Sequence, residues 1–185
     1  SKLDGEVFSE FCNNWTELAY QAQVIRAKLQ HTNLTNLIKL NNVEQLPTGE
    51  YREQEMKIRV GQYFFRMAVL NSYNNRCCIT GICKSELLIA SHIKPWRDCD
   101  QYTERTNPQN GLCLNPLHDK AFDKGLITIN SSYNIVVSNQ LKDVDMDQQT
   151  REWFLGYEGK QITLPDKFLP AQNFIEYHND VVFLR

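Results

Sequence analysis

LLIASHIKPWRDCDQYTERTNPQNGLCLNPLHDKAFDKGL, residues 87–126, decides how this chain is read. The run 86–93 is almost continuously apolar up to His92, as expected of a buried strand, and Lys94-Pro95 ends it because proline cannot supply a ladder hydrogen bond. Residues 97–110 form a long polar loop, and GLCL at 111–114 reads as a second short strand. Pro116 then suits the first turn of a helix that opens with His118. Three residues carry the chemistry of this unit. His92, at the end of a rigid strand, is placed as a general base, which must be held within hydrogen-bond reach of the proton it takes. Asn110 begins the second strand, where its amide can pin the loop so that the two histidines face each other. His118, with Asp119 and Asp123 following on the helix, is a reasonable ligand set for a divalent metal.

Outward from this stretch, GLITI (125–129) and NIVVS (134–138), joined by NSSY, read as a hairpin. Upstream, CCITG (77–81) reads as a short strand closing on a glycine turn. A helix over 53–70 places Met56, Val60, Phe64 and Met67 on one face, and NSYNN (71–75) stops it. Residues 7–30 place Phe8, Phe11, Trp15, Leu18, Ala22, Ile25 and Leu29 at helical intervals, and a short helix is expected at 34–40. The Pro- and Gly-containing stretch 41–51 reads as a linker. In the tail, helices are expected at 147–155 and 172–177, with breaks at Pro165 and Pro170. His31 and His178 lie far from the motif and are read as structural or exposed.

The composition is that of a globular protein able to bury a real core: 185 residues, 42% apolar and 23% charged. No apolar run reaches the roughly 18–20 residues of a membrane span, and the start does not look like a signal peptide. The six cysteines form no CxxC pair and are expected to be reduced thiols, which with the rest gives a cytoplasmic reading. A net charge of −2 argues against a nucleic-acid partner, but its distribution argues for one. Residues 52–97 hold eight Lys/Arg against three acids, whereas 98–185 hold eight against thirteen. A positive segment beside the site is what a phosphate-binding face needs. Arg59, Arg66, Arg76, Lys94, Arg97 and Arg105 are the candidate contacts.

The strings RCCITG, SHIKPW and NGLCLNPLHDKAFDKGLITI together resemble the HNH endonucleases, in particular the restriction and phage-defence branch, over about residues 59–140. The resemblance implies an α+β fold with a ββα-metal core, to which this chain adds helices and a β-hairpin. His92 would be the general base, Asn110 the middle residue of the motif, and His118 the ligand of one divalent cation, Mg, Mn or Ni. The substrate would be DNA and the product would carry a 5′-phosphate. Two departures stand out. Many members have Asp or His before the catalytic histidine as a second ligand, and here that residue is Ser91, so Asp119, Asp123 or water must serve. Others hold the unit with a zinc bound by two CxxC pairs. Here those places read Cys77/Thr80 and Asn115/Leu117, so no structural zinc is expected, and packing by Ile79, Leu88, Ile93, Leu112, Leu114 and Phe122 takes its place. A counter-reading would gather Cys77 or Cys78, Cys83 and Cys113 round a zinc.

The organisation expected is a helical arm or linker over 1–50, the HNH core over 51–140, and a helical extension of the same domain over 141–185. The arm would serve either as a homodimer contact or, the favoured reading, as the connection to a sensing or recognition domain. A catalytically silent HNH-like module that binds nucleic acid beside a partner domain is the alternative function, and Ser91 is the feature that supports it.

Overall fold

Where the polar caps and turns fall determines how this chain divides. In a computed structural model that describes residues 9–11, 14–38 and 50–185, two units separate. One comprises the described residues up to Met67 together with Cys99–Asn107, and the other comprises Ala68–Asp98 with Pro108–Arg185. Most of the stretch read as a linker lies outside the described residues; its last residues, 50 and 51, already belong to a helix.

In the first unit, α1 (Trp15–Leu29) starts where the Asn14 side chain accepts the amide of Glu17 at 3.0 Å, and α2 (Leu34–Leu37) is capped likewise by Asn33. The stripe that α1 buries is Ala19, Gln23 and Ala27, whereas Ile25 and Leu29 of the expected apolar stripe are 56% and 76% exposed. The helix is rotated by its first turn. Thr16 Oγ1 donates to the Gln101 carbonyl at 2.7 Å and lies 3.3 Å from Thr106 Oγ1, which fixes the face that turns inward. The loop itself is folded by the Asp100 carboxylate, which accepts from the amides of Tyr102 and Thr103 and from the Thr103 hydroxyl. Helix α3 (Glu50–Ser72) starts earlier than expected. Its buried residues include Val60 and Phe65, while Phe64 is half-buried, and a side chain at Gly61 would meet the Thr106 methyl at 2.8 Å.

The second unit begins with the end of α3. The stop comes at Ser72, a residue or two past the expected point, where Asn74 and Asn75 take left-handed backbone with φ of 53°. Residues 77–81 are a turn and not the expected strand: the Gly81 amide returns to the Cys77 carbonyl and Gly81 has φ +73°. The bond from the Cys78 amide to the Cys113 carbonyl ties this turn to the sheet. The expected strand over 86–93 is shorter, a 3-10 turn at Ser85–Leu87 and then β1 (Ile89–His92). It pairs antiparallel with β2 (Gly111–Leu114), Ile89 opposite Leu114 and His92 opposite Gly111. Helix α4 (Pro116–Asp123) follows, and then the hairpin of β3 (Ile127–Ile129) and β4 (Ile135–Val137). Three short helices complete the unit: α5 (Asn139–Lys142), which the sequence did not suggest, α6 (Gln148–Phe154) and α7 (Gln172–Tyr177).

The fold is α+β, a ββα unit with added helices and a hairpin. Leu88, Ile93, Leu112, Leu114 and Phe122 are all buried to within about 2% and form its centre; Ile79 is half-buried. The tail folds back on α4. The His178 ring stacks on Phe122 at 3.8 Å, its Nε2–H donates to the Phe122 carbonyl at 3.1 Å, and the Thr128 hydroxyl lies 2.8 Å from its Nδ1. Burial lowers the His178 pKa to about 4, so the ring is neutral. Beyond it the Leu184 amide bonds the Gly125 carbonyl.

Candidate active site

β1 ends at His92 because the next backbone amides turn away to a different acceptor. The Ile93 amide donates to the Asn110 carbonyl at 2.9 Å and the Lys94 amide to the Asn110 side-chain oxygen at 2.8 Å. Asn110 Nδ2 returns to the Lys94 carbonyl at 3.2 Å. Wholly buried, Asn110 therefore clamps the two residues that follow His92 and sets where β1 stops. The His92 ring is half-buried and meets Trp96 edge-on, with centroids 5.5 Å apart and planes at 88°.

A cleft of about 770 Å³ opens beside it. Its lining includes Ser91, His92, Arg97, Asp119 and Asp123, with Val181 and Val182 of the tail. Asp119 and Asp123 lie one turn apart on α4. Burial pushes both carboxyls above their usual range, and for Asp123 the charge of Asp119 adds to the rise. Ser91 is 3% exposed; its hydroxyl leans toward Asp119 and damps that rise, yet makes no hydrogen bond of good geometry.

His118, expected as a metal ligand, does not line this cleft. It is 1% exposed and both ring nitrogens are engaged. Nε2 lies 2.8 Å from the Trp153 carbonyl and must carry the proton, and Nδ1 then accepts from Asn115 Nδ2 at 2.9 Å. Trp153, Phe154 and Tyr157 surround the ring, and burial lowers its pKa. Asn115 is the hub of this arrangement. Its oxygen caps α4 by accepting the amides of Leu117 and His118, and its Nδ2 lies 3.2 Å from Thr80 Oγ1 and 3.5 Å from Cys77 Sγ. Cys77, Thr80, Asn115 and His118 thus hold the turn 77–81 to α4 by hydrogen bonds. The fourth place, read in the sequence as Leu117, belongs to His118; Leu117 is 45% exposed. Of the thiols in the zinc counter-reading, Cys83 is exposed while Cys77, Cys78 and Cys113 are buried, and all four are reduced. Among the described residues no cluster of three or more His, Cys, Asp or Glu is arranged to hold a metal.

Residues 77–130 match the family model described as HNH endonuclease. Over this segment the chain is similar to the HNH endonucleases. Its motif residues His92 and Asn110 meet at the end of β1, and its helix α4 turns carboxylates rather than a histidine toward the cleft. A solved structure titled "Modification dependent TagI restriction endonuclease" is similar at 19% identity with a TM-score of 0.37, over 63% of this chain and 36% of that one. The chain thus spans little more than a third of that protein. No curated protein matches it.

The remaining expected contacts scatter. Arg97 lines the HNH cleft, and Lys94, half-buried, places its ammonium 5.1 Å from the centre of the Tyr177 ring. Arg76 is exposed and reaches the Gly81 carbonyl. Arg59, Arg66 and Arg105 belong to the other unit, where Arg59 pairs with Glu55 at 2.8 Å. Sequence reading missed Lys120 and Lys124, which line the cleft; their spacing, one residue after each aspartate, was the available signal. Among the described residues no helix is long and apolar enough to cross a membrane.

Proposed function

We propose that this nuclease is a divalent-metal-dependent endonuclease that hydrolyses DNA phosphodiester bonds, leaves a 5′-phosphate and serves in restriction or defence. The observation that carries the reading is one cleft lined by both His92 and the Asp119/Asp123 pair. His92 accepts the proton of the attacking water, and Asn110 positions it through the clamp on Ile93 and Lys94. Asp119 and Asp123, with the Ser91 hydroxyl, would hold the cation. This donor set is all oxygen, the kind that suits Mg²⁺ or Mn²⁺ better than Ni²⁺. Magnesium is commonly bound by one or two carboxylates and keeps several waters, so two aspartates suffice. The charge of Asp119 that raises Asp123 would be offset by a bound cation. When bound, the cation supplies charge stabilisation to the phosphate and the leaving oxygen. Arg97 stands at the cleft to hold the substrate backbone.

Supercoiled plasmid with Mg²⁺ or Mn²⁺ tests the reading beside His92→Ala and the double variant Asp119→Asn/Asp123→Asn. Nicking that depends on metal and disappears in both variants is the expected result. Undiminished nicking in the double aspartate variant would overturn the ligand assignment.

A further inference from the structure

The charged residues that line the cleft cancel. Arg97, Lys120 and Lys124 stand against Asp98, Asp119 and Asp123. On α4 they form two parallel rows. Asp119 and Asp123 make one row, and Lys120 and Lys124 lie a hundred degrees round the helix in the next. Both lysines are exposed and line the same cleft as the carboxylates. Arg97, also exposed, has its Nε 3.6 Å from Asp98. A cleft with no net charge has little pull on a polyanion. A divalent cation held by the aspartates would leave the same cleft two charges positive, with the lysine row unopposed.

We propose that Lys120 and Lys124 are the phosphate-backbone contacts of this cleft, and that they engage nucleic acid only once the neighbouring aspartates hold a divalent cation. The proposal rests on the nuclease reading and its cation assignment, and adds to them an order of binding. Substrate follows metal, so the empty protein leaves DNA alone.

The test uses the whole chain, a fluorescein-labelled DNA duplex read by anisotropy, and Ca²⁺ in place of a cation that supports cleavage. Affinity is expected to be at least ~10-fold higher in Ca²⁺ than in EDTA, because counterion release makes each added phosphate contact strongly salt-dependent. In Ca²⁺, Lys120→Gln/Lys124→Gln should flatten the plot of log affinity against log salt by about 1.8, since each contact contributes about 0.9. Mn²⁺ binding, followed by electron paramagnetic resonance, should survive in that variant. Equal affinity in Ca²⁺ and EDTA would overturn the order of binding, and an unchanged salt slope would overturn the lysine contacts. If wild-type protein fails to take up Mn²⁺, the cation assignment falls and this proposal with it. Uptake of Mn²⁺ with an unchanged slope removes the lysine proposal alone.

Discussion

His118→Ala separates a ligand from a structural histidine. The substitution removes the donor to the Trp153 carbonyl and one acceptor of the Asn115 amide, which keeps Thr80 Oγ1 and Cys77 Sγ, so one polar group loses its partner. That loss costs about 1–3 kcal/mol. The space vacated between Trp153, Phe154 and Tyr157 adds a cavity cost of about 2 kcal/mol or more. The total is roughly 3–5 kcal/mol, a third or more of the stability of many domains. For a protein of this size that lowers Tm by about 10–15 °C. Urea unfolding followed by circular dichroism measures the loss. Mn²⁺ affinity, measured at a urea-free temperature where the variant is folded, should equal that of the wild type. A variant as stable as wild type but ten-fold or more weaker for Mn²⁺ would refute the reasoning and restore His118 as the ligand.

The pH dependence of stability follows from the two buried histidines. Folding holds the His178 pKa at about 4 against 6.5 when unfolded, so the unfolded chain binds more protons between those values. Stability is full above the unfolded value and falls as pH drops toward 4, by roughly 3 kcal/mol for His178, and His118 acts in the same direction. Denaturant midpoints across that window should show it, and His178→Phe should remove most of the slope. At Gly125, φ is +69° and a Cβ would stand 2.0 Å from the Val182 carbonyl oxygen, so Gly125→Ala must shift the tail that walls the cleft. It should cost about 3 kcal/mol or more, and hydrogen exchange should quicken over residues 181–185. Asn110→Ala removes the side chain that bonds the Lys94 amide and carbonyl, so kcat should fall far more than DNA affinity. Equal falls in affinity and kcat would point instead to general unfolding.

The fold was legible wherever local chemistry agreed with tertiary packing. Pro116 after Asn115 marked the start of α4, the hairpin at 127–137 followed its alternation, and α7 falls where the tail suggested a helix. The misreadings share a physical cause. CCITG has β-branched and apolar residues, but a left-handed glycine and the cap of α4 hold it as a turn. The apolar stripe of α1 is a valid helical stripe, yet a threonine in the first turn, bonded to a loop more than eighty residues away, selects another face. No window of sequence contains that contact.

The site was half legible, and the missing half was written in the helical period of α4. In HDKAF, His118 stands four residues before Phe122 and three before Ala121, and all three are buried. A residue in that phase points into the core, and a ring there must satisfy both nitrogens from the protein. One residue on, the next row carries Asp119 and Asp123 to the cleft, and the row after carries Lys120 and Lys124. His118 and the cleft carboxylates therefore occupy different faces of one helix. The motif points to this helix, but the period decides which of its side chains reaches the cleft. On that count Asn115 is as consequential as His92: by capping α4 and bonding Cys77, Thr80 and His118 at once, it sets the rotation that brings two aspartates to the cleft that His92 also lines.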